Sequence, residues 1–324
     1  MEAGSAAPGA SPLSRLFAAR IRLIPVAVYL AALSYAVWRD GIPMNRDRLL
    51  MWILLGLLAF SLSNVRGWLR SVVVDWLPFA LILWAYDLLR GQADGLLFDA
   101  YFRPQLEADA FLFGGTVPTV WLQEHLWNGS WDLRWYDYAS WGVYMSYFVA
   151  TYLLAAGLWL FARDRFRPYV ATVCVLALMG FATYALFPAA PPWLASRAGE
   201  LEPTTRTVGL ISGQVPIVDF GAIFDRGSAY ANPVAAVPSL HAAYTLLFAL
   251  VLWRLSRRTW PVLALYPAAM AFALVYTAEH YLVDILLGFV YTLVAVAAVN
   301  AVARWLASSP RVALRGDRGE LLHE

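Results

Sequence analysis

Long apolar runs, punctuated by short clusters of arginine, constrain this chain more than any other feature. A helix needs roughly 20 apolar residues to cross the hydrocarbon core of a bilayer. Runs near that length fall at Ile21–Trp38, Leu49–Leu62, Val72–Leu89, Trp141–Ala162, Tyr169–Leu186, Leu240–Leu255, Trp260–Thr277 and Tyr281–Ala303, the second being the shortest. Within lipid the backbone must satisfy its own hydrogen bonds, which selects helices for such runs. Composition agrees: 61% of the 324 residues are hydrophobic and 14% are charged, against about 25% charged in soluble domains. The expected fold is all-α, a polytopic transmembrane helical bundle of about eight spans. Residues 15–305 are expected to form a single membrane-embedded domain, between an N-terminal tail at 1–14 and a C-terminal tail at 306–324.

Two long segments interrupt the spans. Residues 90–140 are rich in Trp, Phe and Leu but broken by Gly and Pro, and residues 187–238 are Pro- and Gly-rich. Within the first, Val117–Trp127 reads as an amphipathic helix lying in the membrane interface, where aromatic side chains are favoured. Both segments are long enough to cap a site.

Arginine sets the expected orientation, because cytoplasmic loops carry the excess of basic residues. With the N-terminus inside, Arg66, Arg70, Arg163, Arg165, Arg167, Arg254, Arg257, Arg258 and the C-terminal tail are also inside. Segments 90–140 and 187–238 then fall outside, and the chain is expected in the plasma membrane with both termini cytoplasmic. A net charge of +2, with no basic stripe, gives no reason to expect a nucleic-acid partner. The single cysteine, Cys174, cannot form an internal disulfide or a cysteine zinc site. Nothing in the sequence sets the oligomeric state.

The residues that carry chemistry are Pro238-Ser239-Leu240-His241 and His280-Tyr281-Leu282-Val283-Asp284. Each opens an apolar span, and in the expected topology both openings lie at the outer face. On a helix, His280 and Asp284 at i and i+4 share one side. The carboxylate can fix the imidazole tautomer and raise the basicity of the other nitrogen. His280 is then a nucleophile able to attack phosphorus. His241 can protonate the leaving oxygen as general acid. Ser239, at a helix start, offers a hydroxyl and backbone N–H groups to phosphate oxygens. Two histidines and an aspartate can also bind zinc, but a metal site leaves Pro-Ser-x-His without a role. An ionisable residue within an apolar span is by default functional.

These motifs resemble the last two signature motifs of the type 2 phosphatidic acid phosphatase superfamily. That resemblance extends over Trp141–Ala303. It implies a six-helix core holding the site, the second histidine (His280) as nucleophile, Asp284 orienting it, His241 as acid, and no metal or cofactor. The chain departs from the phosphatase form at several positions. Leu240 replaces a glycine, Ala273 and Leu274 occupy the positions of a Ser-Arg pair, and Leu160 stands where a lysine precedes Arg167-Pro168. The sequences Phe187-Pro-Ala-Ala-Pro-Pro192 and Ala236–His241 instead resemble the inositol phosphorylceramide synthase branch.

A phosphate needs cationic partners. Arg206 and Arg90 are the expected ones, with Arg103, Arg134, Arg197 and Arg226 also on the outer side. The expected activity is phosphoryl transfer from a lipid-linked phosphodiester or pyrophosphate, through a phosphohistidine, to a hydroxyl acceptor lipid. Hydrolysis of a lipid or polyprenyl phosphate is the alternative with the same residues. A transporter or scaffold would leave His280, Asp284 and His241 unexplained.

Overall fold

A computed structural model describes residues 12–41, 46–92, 98–127, 129, 132–215 and 232–308. Among them the chain is helical, without a β-strand. Helices α1 (Pro12–Asp40), α2 (Arg46–Ser61) and α3 (Val65–Ser71) come first. A π-helical turn, Val72–Trp76, leads from α3 into α4 (Leu77–Gln92). Two short helices follow, α5 (Arg103–Leu112) and α6 (Pro118–Leu126), then the long pair α7 (Trp135–Phe161) and α8 (Arg163–Leu186). Short helices α9 (Pro192–Arg197) and α10 (Thr207–Gln214) precede the final three, α11 (Leu240–Leu255), α12 (Trp260–Tyr276) and α13 (Leu282–Ser308). The first described helix starts at Pro12, inside the stretch expected to be a tail, and α13 runs three residues past the expected boundary at 305.

Every expected span coincides with a helix. Among the described residues, five helical stretches have both the length and the hydropathy to cross a membrane: Val65–Leu89, Trp135–Phe161, Arg163–Leu186, Arg257–Tyr276 and Leu282–Ser308. Leu240–Leu255 and Arg48–Ser61 are apolar but shorter. The protein is therefore a multi-pass membrane protein. Helix α11 is the hub, packed against α7, α8, α12 and α13, while α4 packs on α8, and α2 on both α7 and α1.

Lipid tails are as apolar as leucine, so these helices associate through close packing rather than hydrophobic exclusion, and small residues mark the contacts. At Gly180 of α8, the Leu240 methyl groups lie 3.1–3.2 Å from where a Cβ would sit. Leu240, the departure from the phosphatase motif, is buried by this contact. At the far end of α7, buried Asp75 of the π-helical turn binds Arg163 at 2.6 Å and Arg167 at 3.1 Å, and accepts the Trp159 indole N–H. This pins α4 to the α7–α8 turn. Arg167 is thus a structural partner, away from the histidines.

The short helices α5 and α6 are amphipathic in reverse. They bury Gln105, Asp109, Thr119 and Gln123 and expose Phe111, Leu112, Phe113 and Trp121. Against lipid this is the stable orientation, because polar groups find partners only within the protein. The Pro-rich run is stitched between two others. Tyr101 N–H donates to the Pro188 carbonyl, and Ala189 N–H to that of Val234. These bonds tie segment 98–102 to the strand-like approach into Pro238.

Candidate active site

His241 lies in the first turn of α11, and Ser239 is that helix's N-cap. The Ser239 hydroxyl oxygen accepts the Ala242 N–H, and its own N–H donates to the Asp284 carbonyl at 2.9 Å. Ser239 is fully buried. Its first role is thus to cap α11 and to clip it to α13, rather than to present an open phosphate cradle.

His280 does not lie on the helix that carries Asp284. Helix α12 ends at Tyr276, α13 begins at Leu282, and His280 sits in the turn between them. The Leu274 carbonyl accepts both the Glu279 and His280 N–H groups, closing the end of α12. Ala278 takes a φ of 61°, a left-handed conformation costing a non-glycine residue roughly 1 kcal/mol. The chain thus reverses sharply and delivers His280 beside the first turn of α13. The i,i+4 spacing still brings the pair together: His280 Nδ1 lies 3.5 Å from Asp284 Oδ2. That distance is long for a hydrogen bond. Asp284 Oδ2 accepts the Tyr281 N–H at 2.9 Å.

The other imidazole nitrogen, His280 Nε2, faces His241 Nδ1 at 3.3 Å. The two motifs therefore meet, although 39 residues separate the histidines. Rings from α7 surround His241, with Tyr144 stacked at 4.9 Å and Tyr147 at 4.1 Å between centroids. Tyr281, next to His280, is fully buried, and its hydroxyl is pushed above the ordinary tyrosine range by that burial and by the nearby Asp284 and Asp109 carboxylates. Among the described residues, no three His, Cys, Asp or Glu side chains are arranged to hold a metal ion.

The sequence model of the PAP2 superfamily matches residues 110–298, more than half of the chain. The chain belongs to the PAP2 superfamily. That match contains both histidines, Asp284, Ser239 and Arg206, so the superfamily's sequence pattern and the meeting of the two motifs coincide. A phosphoinositol dihydroceramide synthase of Bacteroides thetaiotaomicron is 38% identical over 144 residues, covering 41% of this chain and 46% of that protein. The aligned part thus spans less than half the length of the curated relative. No solved structure matches.

The expected cations fare differently. Arg206, the N-cap of α10, holds Glu279 through two hydrogen bonds, Nε to Oε1 at 2.7 Å and Nη2 to Oε2 at 3.1 Å. Its guanidinium also lies 4.8 Å from the Trp193 ring, which Arg197 approaches at 5.0 Å. Arg206 is thereby anchored through Glu279, the residue before His280, in this PAP2 protein. Arg103 pairs with Glu200, and Arg134 caps α7. The Arg90 side chain and the whole of Arg226 lie outside the described residues.

Three polar residues near the site were not singled out from the sequence. Glu279 precedes His280 and holds Arg206. Gln123 of α6 donates to the Thr205 and Tyr276 carbonyls at 2.8 Å and accepts the Thr205 N–H, binding the Arg206 loop to the end of α12. Asp109 of α5 accepts the N–H groups of Leu282 at 2.8 Å and Val283 at 2.9 Å. The available signal was a polar residue inside the Trp-, Phe- and Leu-rich segment for Asp109 and Gln123, and the position next to His280 for Glu279. Beside the site runs an apolar groove of about 520 Å³, walled by Phe113, Pro118 and Trp121 on one side and by Ala271, Phe272 and Leu282 on the other. Leu282 and Ala271 also pack on the cluster that contains Tyr144 and Ala242, so the groove wall is continuous with the surroundings of His241.

Proposed function

We propose that this chain is a membrane-embedded phosphotransferase that moves a lipid-linked phosphoryl group through a phosphohistidine intermediate at the outer membrane face. The facing of His280 Nε2 and His241 Nδ1 at 3.3 Å, with Asp284 behind His280, carries this reading. His280 Nε2 attacks phosphorus, and the P–O bond to the leaving group breaks. His241 gives its proton to the departing oxygen. The acceptor hydroxyl then attacks the phosphohistidine, its proton passes to His241, and the P–N bond breaks, restoring both imidazoles. Arg206, held in place by Glu279 and Trp193, supplies fixed positive charge for the phosphate. Ser239 supports the site as the cap of α11 rather than through a phosphate contact, and the Arg90 side chain, the other cation expected from the sequence, lies outside the described residues.

The apolar groove fits the hydrocarbon chain of the substrate. Its walls are apolar, it borders exposed Phe113 and Trp121, and bilayer lipid meets the protein on that face. The related synthase is named for a phosphoinositol dihydroceramide product, which supports a hydroxyl-bearing lipid, rather than water, as the acceptor. The deciding experiment incubates purified protein in detergent with a panel of lipid phosphodiesters and pyrophosphates of increasing chain length, with and without hydroxyl lipids. A phosphorylated acceptor lipid is expected, and turnover that persists in EDTA. Phosphate release regardless of acceptor would replace transfer by hydrolysis, and activity restored to a chelated sample only by added zinc or magnesium would replace the phosphohistidine by a metal site.

The outer-face placement rests on the arginine distribution and has its own test. Glu202 is exposed in the segment between α9 and α10, and the native Cys174 is buried. Glu202→Cys is expected to react with a membrane-impermeant thiol reagent in intact cells. Reaction only after permeabilisation would invert the topology.

A further inference from the structure

We propose that Asp109 is a positioning residue for the nucleophile, capping α13 from another helix and thereby setting the turn that carries His280. The inference rests on the reading of His280 as the nucleophile. A helix begins with backbone N–H groups that lack partners within it. The residue at the N-cap position of α13 is Tyr281, whose side chain cannot accept a hydrogen bond from the first turn in the way Ser, Thr, Asp or Asn does. The carboxylates of two different helices take over. Asp284 Oδ2 accepts Tyr281 N–H, Asp109 Oδ2 accepts Leu282 N–H, and Asp109 Oδ1 accepts Val283 N–H. Three successive donors are thus held by two side chains, both with 0% exposure.

The arrangement is costly, and its cost argues for a role. Two buried carboxylates stand beside one helix start, where their mutual repulsion opposes ionisation of both. The favourable field of a helix N-terminus and charge-assisted hydrogen bonds offset part of that. A neutral cap would hold α13 without burying a second charge. What the two-oxygen carboxylate adds is rigidity: it fixes two adjacent N–H groups from a helix, α5, that is separate from the α12–α13 hairpin. His280 lies two residues before Leu282 and follows the strained Ala278. A turn that loses this anchor relaxes, and His280 moves relative to Asp284 and His241.

The charge state of Asp109 matters to the cap. Burial, against the opposing pull of the two N–H donors and with a smaller push from Asp284, brings its carboxyl up to about 6. Protonation turns one acceptor oxygen into a hydroxyl facing an N–H, so one of the two bonds is lost. The titratable groups that bear on it are Asp284 and Tyr281 at the start of α13.

The test uses the full chain in detergent. Asp109→Asn keeps one acceptor oxygen and permanently lacks the charge. Its kcat is expected to fall by about 10²-fold, the scale of a misplacement near 1 Å, with little change in KM. The loss of activity on acidification near pH 6 should also shrink, because the variant already has the weakened cap. Asp109→Glu keeps the charge and is expected to recover part of kcat and the acid limb. Amide hydrogen exchange at Leu282 and Val283 should quicken in Asp109→Asn. That readout needs no turnover, so it separates the cap from the nucleophile assignment: quickened exchange in a protein whose wild type turns nothing over counts against the phosphotransferase reading. Unchanged exchange overturns the proposal. So does an activity loss that merely follows the folded fraction and leaves the pH profile as in the wild type. If Asp109→Asn does not fold, Asp109→Glu decides through the lengthened side chain: unchanged amide exchange at Leu282 and Val283 together with a kcat lowered as far as expected for Asp109→Asn overturns the proposal, and quickened exchange with a partly lowered kcat supports it.

Discussion

His280→Ala is expected to lose all turnover with every substrate. In the proposed chemistry Nε2 forms the covalent bond to phosphorus, and the imidazole that meets it, His241 through Nδ1, is committed to the proton transfer. His241→Ala should leave a residue of activity, reduced by roughly the 10²–10⁴-fold that a general acid contributes. The size of that loss should depend on the leaving group. An alkoxide needs the proton, whereas an aryl phosphate departs without it, so aryl substrates should suffer least. Asp284→Asn should fold, because an amide oxygen can still accept the Tyr281 N–H, but attack should slow as the imidazole loses its anionic partner. Steady-state rates of the three variants with matched alkyl and aryl phosphates make the comparison. Near-normal turnover in His280→Ala alongside a crippled His241→Ala would reverse the two roles. Equal losses for alkyl and aryl leaving groups in His241→Ala would remove it as the acid and leave it a phosphate-binding role.

Much of this arrangement is written locally in the chain. Helical spans follow from run length, since in lipid the backbone has few other solutions. The two histidine motifs open apolar runs, and the structure brings them together. What sequence spacing could not supply is long-range. Asp109 reaches a backbone group 173 residues away, and Gln123 one 153 residues away. In the sequence these residues look like the polar positions of an interfacial helix, and a soluble-protein reading would point them outward. Lipid inverts that rule, and the helices turn their polar side inward. The i,i+4 rule gave the right pair for His280 and Asp284 through the wrong geometry, because the helix starts only at Leu282. Arg206 was legible as a nearby cation but not as the partner of Glu279, because nothing local to either residue announces an ion pair between a loop and a helix end. Leu240 was legible only as a departure from the glycine of the phosphatase form, not as the side chain that fills the space beside Gly180.

Gly288→Ala should be highly damaging although it removes no polar atom. Gly288 lies one turn beyond Asp284 on α13, and a Cβ there would stand 2.3 Å from the Ser239 carbonyl oxygen. That atom belongs to the backbone of the Pro-Ser-Leu-His motif, so no side-chain rotation relieves the clash. The carbonyl accepts the Ala243 N–H in the first turn of α11, while the Ser239 N–H is fixed to Asp284. Further along, Thr292 donates to the Ala243 carbonyl. Moving α11 away from α13 therefore strains several of these bonds together and carries His241 away from His280. Overpacking of this kind costs about 1–3 kcal/mol, occasionally more, and the displacement should also depress kcat by about 10²-fold. Gly157→Ala provides the control. Gly157 also lies within a long helix, α7, but its Cβ would meet nothing within 4 Å. It should gain the roughly 1 kcal/mol that alanine holds over glycine in a helix interior. Thermal unfolding and turnover of both variants in detergent separate the two cases. If Gly288→Ala matched Gly157→Ala in both measurements, the close approach of α11 and α13 at the histidine motifs would not exist in the working protein, and the 3.3 Å meeting of His241 and His280 would lose its structural basis.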